Sequence, residues 1–127
     1  MRLITLFESM TGAKVKDCIS GENLTFIIEE NDMGKAIGKS GSNIKRIENV
    51  LKKKIRLIEF NHDAVQFLRN MVYPIEIFDV AKEGKIITIH GKDTNSKAKI
   101  IGRERQNLNH LTGIIKRYFD ISEIKVI

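Results

Sequence analysis

Gly38-Lys39-Ser40-Gly41 is the segment best equipped for chemistry, and that chemistry is the holding of a phosphate backbone. Two glycines with nothing bulky between them let a polyanion approach the main chain closely. Lys39 puts a cation inside the loop, and Lys35 and Ile37 stand just before it. Ser42 follows, where a helix can begin. A helix start offers N–H groups and the positive end of a dipole. Sixty-four residues later, Lys99-Ile100-Ile101-Gly102-Arg103-Glu104-Arg105-Gln106-Asn107-Leu108 reads as a worn copy. Gly102, Arg103 and Arg105 form a candidate second site. The second glycine is missing there and Glu104 adds an anion, so this loop ranks below the first, and an orienting role for its unit is the alternative.

The elements that must position these loops can be read from apolar spacing. Leu3, Ile4, Phe7 and Met10 fall at helical spacing, and Gly12 ends that helix. Val15 to Ile19 and Leu24 to Ile28 read as strands around the turn Ser20-Gly21-Glu22-Asn23. Asp32 is expected to cap a short helix over Met33 to Ile37, stopped by Gly38. Ser42 is expected to cap a helix over residues 43–53 with Ile44, Ile47, Val50 and Leu51 on its apolar face. Ile55, Leu57 and Ile58 make a strand. The order then repeats. Asp63 caps a helix that Pro74 ends, residues 75–80 and 85–89 are strands around Lys82-Glu83-Gly84, and Thr94 or Asn95 opens a short helix ending at Gly102. Leu108, Leu111, Ile114 and Ile115 line the next helix, and residues 121–127 form the last strand.

Setting Gly38 on Gly102 also aligns Lys35 with Lys99, Ile37 with Ile101, Asn43 with Asn107 and Ile47 with Leu111. A repeat of order is stronger evidence than any single motif. The connection Glu59-Phe60-Asn61-His62 is short and free of Gly, Pro and Ser, which predicts two units docked at a fixed angle.

Composition narrows the function classes. The chain has 127 residues, 42% of them hydrophobic, and a formal net charge of +6. Its pI is about 9.5. That balance favours an anionic partner, nucleic acid before a membrane surface. Cys18 is the only cysteine, so no internal disulfide forms, and a reduced cytoplasmic setting fits. No apolar run nears the roughly 20 residues of a membrane span, and the N-terminus lacks a signal-peptide core. His62, His90 and His110 are scattered, with no Cys/His cluster at metal spacing. Glu29, Glu30 and Asp32 read as strand ends and a cap, and Lys52-Lys53-Lys54 as cations at a helix C-terminus. Aromatics are 6% of the chain, too few for a base-stacking sheet. A nucleotidase phosphate loop needs Gly, four residues, then Gly-Lys-Ser/Thr. Gly34 to Gly38 encloses only three, Met33 stands where the glycine belongs, and a helix rather than a strand leads in. A purely structural helix-loop-helix bend remains as the third reading of the loop.

Ile37-Gly38-Lys39-Ser40-Gly41-Ser42-Asn43-Ile44 resembles the KH signature. The element order, with a helix and strand before the core, resembles the type II KH fold. Two such units without a linker resemble the paired KH segment of the NusA transcription termination and antitermination factors, above all their short archaeal form. The chain has no room for the polymerase-binding and S1 domains of bacterial members. The resemblance implies an α+β chain of two tandem type II KH domains, residues 1–60 and 61–127, each a three-stranded mixed sheet covered by helices on one face. It implies that Lys35, Ile37, Gly38, Lys39, Ser40, Gly41 and Ser42, with Gly102, Arg103 and Arg105, contact RNA. The last strand, Arg56 to Phe60, would be the far wall of a groove for about four unstacked nucleotides. The expected partner is single-stranded RNA, with RNA polymerase as a further candidate. No catalytic set, metal or cofactor is expected, no membrane partner, and a cytoplasmic monomer. The alternatives are a ribosome-associated or RNA-processing KH protein and a phosphate-binding enzyme.

Overall fold

The structure is a computed structural model and describes residues 2–21 and 23–127. The chain divides into two compact units, Met1–Asn61 and His62–Ile127. In the first, helix α1 (Arg2–Thr11) precedes strands β1 (Val15–Ile19) and β2 (Leu24–Ile28). Helices α2 (Met33–Ile37) and α3 (Ser42–Leu51) flank the glycine loop, and β3 (Ile55–Glu59) closes the unit. The second unit runs α4 (Ala64–Val72), β4 (Ile77–Glu83), β5 (Ile86–Gly91), α5 (Thr94–Ile101), α6 (Gln106–Tyr118) and β6 (Glu123–Val126).

Each unit has one mixed three-stranded sheet, in order β1-β2-β3 and β4-β5-β6. The first pair of each is antiparallel and the second parallel. The central strand Leu24-Thr25-Phe26-Ile27-Ile28 is buried throughout, as a strand with neighbours on both sides should be. Alternation sends Leu24, Phe26 and Ile28 into one cluster with Phe7 of α1, Ala36 of α2 and Ile47 of α3. The rings of Phe7 and Phe26 meet with centroids 4.4 Å apart. In the second unit Phe67, Met71, Ile87, Ile89, Ile100 and Leu111 are the matching buried side chains.

These cores fix the loops. Ala36 and Ile100 are fully buried just before them, and Ile47 and Leu111 just after. Burying one such Ile or Leu stabilises by about 1.5–3 kcal/mol. That offsets the roughly 1–2 kcal/mol of a non-glycine residue in left-handed backbone, and each loop contains such residues.

Several boundaries differ from the sequence expectation. Asp32 holds the N-cap position of α2 as expected, but its side chain makes no cap bond; the carboxylate instead accepts the Lys14 N–H at 2.7 Å, tying the helix start to the residue before β1. Ser42 is the first residue inside α3, and Gly41 holds the cap position. A 3-10 turn over Lys39–Gly41 already supplies the bend, with the Ser42 N–H donating to the Lys39 carbonyl. Val50 is 56% exposed rather than part of the apolar face, since at 100° per residue it lies to one side of the stripe on which Ile47 and Leu51 meet the core. Asp93, not Thr94 or Asn95, caps α5 by accepting the Ser96 N–H at 2.8 Å. That bond and the neighbouring charges hold the Asp93 carboxyl below its usual pKa. Asp63 caps α4 as expected. Strand β4 starts two residues late, since the Ile75 N–H still donates to Val72 after Pro74. The β4–β5 turn is Gly84-Lys85, with Gly84 at φ +59°. The expected turn at Ser20 to Asn23 includes Glu22, which lies outside the described residues. Cys18 is partly buried on edge strand β1, where burial raises its thiol pKa.

Candidate nucleic-acid interface

The two loops follow one backbone path. Gly38 has φ/ψ of 75°/172° and Gly102 has 76°/172°. Ser40 and Glu104 share φ 53° with ψ of 31° and 32°. Gly41 stands at 75°/16° and Arg105 at 64°/16°. The missing second glycine therefore does not change the course of the second loop. Arg105 instead adopts left-handed backbone, at the cost that glycine avoids.

Gly38 and Gly102 are the positions that need glycine most. A Cβ on Gly38 would lie 2.7 Å from the Asn43 side chain and 2.9 Å from its backbone nitrogen. A Cβ on Gly102 would meet Asn107 at 2.8 and 2.9 Å. The close approach has a purpose. Asn43 donates from Nδ2 to the Lys35 carbonyl at 2.8 Å, and Asn107 to the Ile100 carbonyl at 2.8 Å. Each amide latches the helix after the loop to the last turn of the helix before it. The sequence aligned these asparagines without revealing this role. Their fixed place five residues after the first glycine is the signal that could have shown it.

The structure gathers the first group of predicted residues at one corner. Lys35 and Ile37 end α2, Gly38 to Gly41 make the bend, and Ser42 opens α3. Lys35, Lys39 and Ser40 are exposed. No side chain caps the start of α3, which leaves its positive end open to an anion. From Met33 to Ile58 the chain carries eight Lys and Arg against one acid, Glu48. Glu48 accepts the Ile55 N–H at 3.1 Å and so holds the end of α3 to β3. Glu59 likewise accepts the Asn31 N–H at 3.0 Å. The acids near the first loop thus serve the backbone, while most cations there face solvent.

The far wall is a sheet edge. Strands β3 and β6 each lie at an edge, with α2 beside β3 and α5 beside β6. On β6 the Ile127 N–H donates to Ile89, and the Gly91 N–H donates back to Ile127. The period of two then turns the main-chain groups of Ile124 and Val126 away from β5, toward the open edge. On β3 the bond from Phe60 N–H to Ile28 turns those of Leu57 and Glu59 outward in the same way. Ile55 and Leu57 pack on the core, so Arg56 alternates to the other face of the sheet, half-buried, where burial lowers its pKa. In the second unit Ile101, Arg105 and Leu108 face residues Glu123 to Ile127 across a groove of about 260 Å³. Gly102 and Arg103 sit beside it in the loop. Such a cleft, with Arg105, Glu123 and Lys125 among its apolar side chains and a sheet edge along one side, can hold an unstacked base with its phosphate outside.

Among the described residues, no group of three or more His, Cys, Asp or Glu could hold a metal ion, and no helix is long and apolar enough to cross a membrane. His62 and His110 are exposed and His90 is partly so.

Comparison with known proteins agrees with this geometry. The fold and loop define a KH-domain protein, and residues 3–85 match the family model described as KH domain. A relative from Methanococcus vannielii, "Probable transcription termination protein NusA", is 38% identical over 98% of this chain and 74% of its own length. One of the same name from Methanocaldococcus jannaschii is 36% identical over 98% of this chain and 70% of its own. A solved structure, "Crystal structure of APE1850", superposes with a TM-score of 0.75 at 24% identity, over 99% of this chain and 96% of that one, and so shares the fold. The chain belongs to the NusA family of KH-domain proteins.

The two loops should contribute unequally. Replacing Arg103 and Arg105 together by Ala should weaken RNA binding less than replacing Lys39 and Ser40 by Asp, because the first change leaves the single negative charge of Glu104 in its loop and the second leaves two negative charges in its own. Fluorescence titration of both variants with one RNA checks this, and a larger loss from the second loop would reverse the ranking.

Proposed function

We propose that this chain is a single-stranded RNA-binding transcription termination or antitermination factor that works beside RNA polymerase. The observation that carries the reading is the loop from Gly38 to Gly41, open and cationic, with the uncapped start of α3 behind it and a free sheet edge opposite. The names of the relatives supply the process.

We read residues 1–60 and 61–127 as two tandem type II KH domains. The matched loop angles and the repeated sheet order support that division. Lys35, Ile37, Gly38, Lys39, Ser40, Gly41 and Ser42 form the primary RNA contact, and Gly102, Arg103 and Arg105 a secondary one. The phosphate backbone lies along the loop, where Lys39 and the amides at the start of α3 attract it. Bases turn toward the edge strand, where outward main-chain groups read them. Nothing in this scheme calls for a reaction, a cofactor or a membrane, and we read the protein as a cytoplasmic monomer. Affinity purification of the tagged chain from cells, followed by quantification of polymerase subunits against ribosomal proteins, tests the process. Enrichment of polymerase is expected. Enrichment of ribosomal particles in its place would favour a role in ribosome assembly or RNA processing.

A further inference from the structure

We propose that the exposed face of α3 is a phosphate track, which holds the backbone of the RNA strand where it leaves the first loop. The inference rests on the RNA-binding reading above and extends that site beyond the loop. Ser42, Lys45, Asn49 and Lys52 recur at helical spacing, with Arg46 beside them and Lys53 just after, and all six are exposed. Glu48, the one acid of α3, is partly buried and accepts the Ile55 N–H. Among the described residues the ammonium groups of Lys45, Lys52 and Lys53 have neither a hydrogen-bond nor an ion-pair partner. Arg46 reaches only Asn43 Oδ1, at 3.5 Å.

The fold does not require these cations. Helix α6 follows the second loop in the same way, with Asn109 and His110 in the places of Lys45 and Arg46. The negative end of a helix favours Lys52 and Lys53, but Lys45 and Arg46 stand nearer the positive end, which disfavours a cation. Lys52 also holds φ +54° at the cap, where glycine is usual. Unpaired cations this close repel one another, and an anion laid along them relieves the repulsion. The track is continuous with the loop, since Ser42 belongs to both. From Lys45 to Lys52 is about 10 Å along the helix axis, room for about three phosphates of a stacked strand at about 3.4 Å each. A protein partner would need apolar or aromatic anchors, and Val50 is the one exposed apolar side chain on α3. Phosphate contacts carry no base information, so the track adds affinity to any sequence.

The test uses the full chain and a twelve-nucleotide single-stranded RNA in two forms. One is natural, and the other has uncharged methylphosphonate linkages outside its central four nucleotides. The wild type should bind the natural strand about tenfold or more tighter at 50 mM salt, with a log–log salt slope steeper by about 2, or about 0.7 for each of three phosphates. In the triple variant Lys45→Gln, Lys52→Gln, Lys53→Gln, that advantage should shrink about threefold or more, while affinity for the uncharged-flank strand holds within about twofold. Glutamine is a good helix former and the three sites are exposed, so the melting temperature should hold. A smaller shrinkage would overturn the proposal and leave the face to solvent or to an acidic protein. An equal loss for both strands would overturn it too, making these cations part of the groove. Equal binding of both strands by the wild type would defeat the track alone, whereas failure of both to bind would defeat the RNA-binding reading beneath it.

Discussion

Replacing Lys39 and Ser40 by Asp should lower affinity for single-stranded RNA about tenfold or more while leaving the melting curve nearly unchanged. The double change moves the loop from one positive charge to two negative ones. At exposed sites each charge pair at contact distance is worth about 1 kcal/mol in water, and tenfold is 1.4 kcal/mol. Both residues are exposed and neither anchors a helix. The anchors are Ala36 and Ile47, one on each side. Titration of a labelled RNA against wild type and variant, with thermal melts alongside, checks both halves. Unchanged affinity would place the RNA elsewhere on the molecule.

Gly38→Ala should do more harm than Gly41→Ala, and through a different route. The backbone of Gly38, at 75°/172°, lies in a region essentially reserved for glycine. Its added methyl would also press on Asn43 from 2.7 Å and disturb the bond from Asn43 to the Lys35 carbonyl. A stability loss of about 1–3 kcal/mol is expected, with RNA binding falling in step. The methyl of Gly41→Ala meets nothing within 4 Å, so only the left-handed backbone resists it. That variant should stay folded and lose affinity in proportion to how closely RNA approaches the loop. Denaturant melts and RNA titrations of the two variants separate these effects. Equal stability of both would contradict the latch assigned to Asn43.

The spacing of apolar residues was enough to place nearly every helix and strand, because both units bury one face of each element. The five-residue run Leu24 to Ile28 reads as a strand, whose central place only the sheet order shows, and Ile47 and Leu111 read as the inward faces of their helices. Caps were harder to place. Asp32 and Ser42 have the right chemistry for helix starts, yet the Asp32 carboxylate bonds to the residue before β1 and a 3-10 turn displaces Ser42 by one position. Local composition cannot report a competing tertiary bond. The first loop was legible as a site because its glycines are intact. The second was harder to read, since Arg105 hides a glycine-like conformation behind a side chain. Asn43 and Asn107 showed in the sequence only as an aligned pair, because their partners are main-chain carbonyls that carry no sequence signal.

The central claim, that the grooves take unstacked bases with the phosphates outside, is tested most directly by comparing a short single-stranded RNA with its duplex across salt concentrations. Paired bases sit in a deep, narrow major groove that a protein cleft cannot enter, so the single strand should bind more tightly. Each phosphate neutralised on a single strand contributes about −0.7 to the log–log slope. Four contacts give a slope near −2.8, so affinity should drop about 50-fold between 50 and 200 mM salt. Equal affinity for the duplex, or a flat response to salt, would contradict the account.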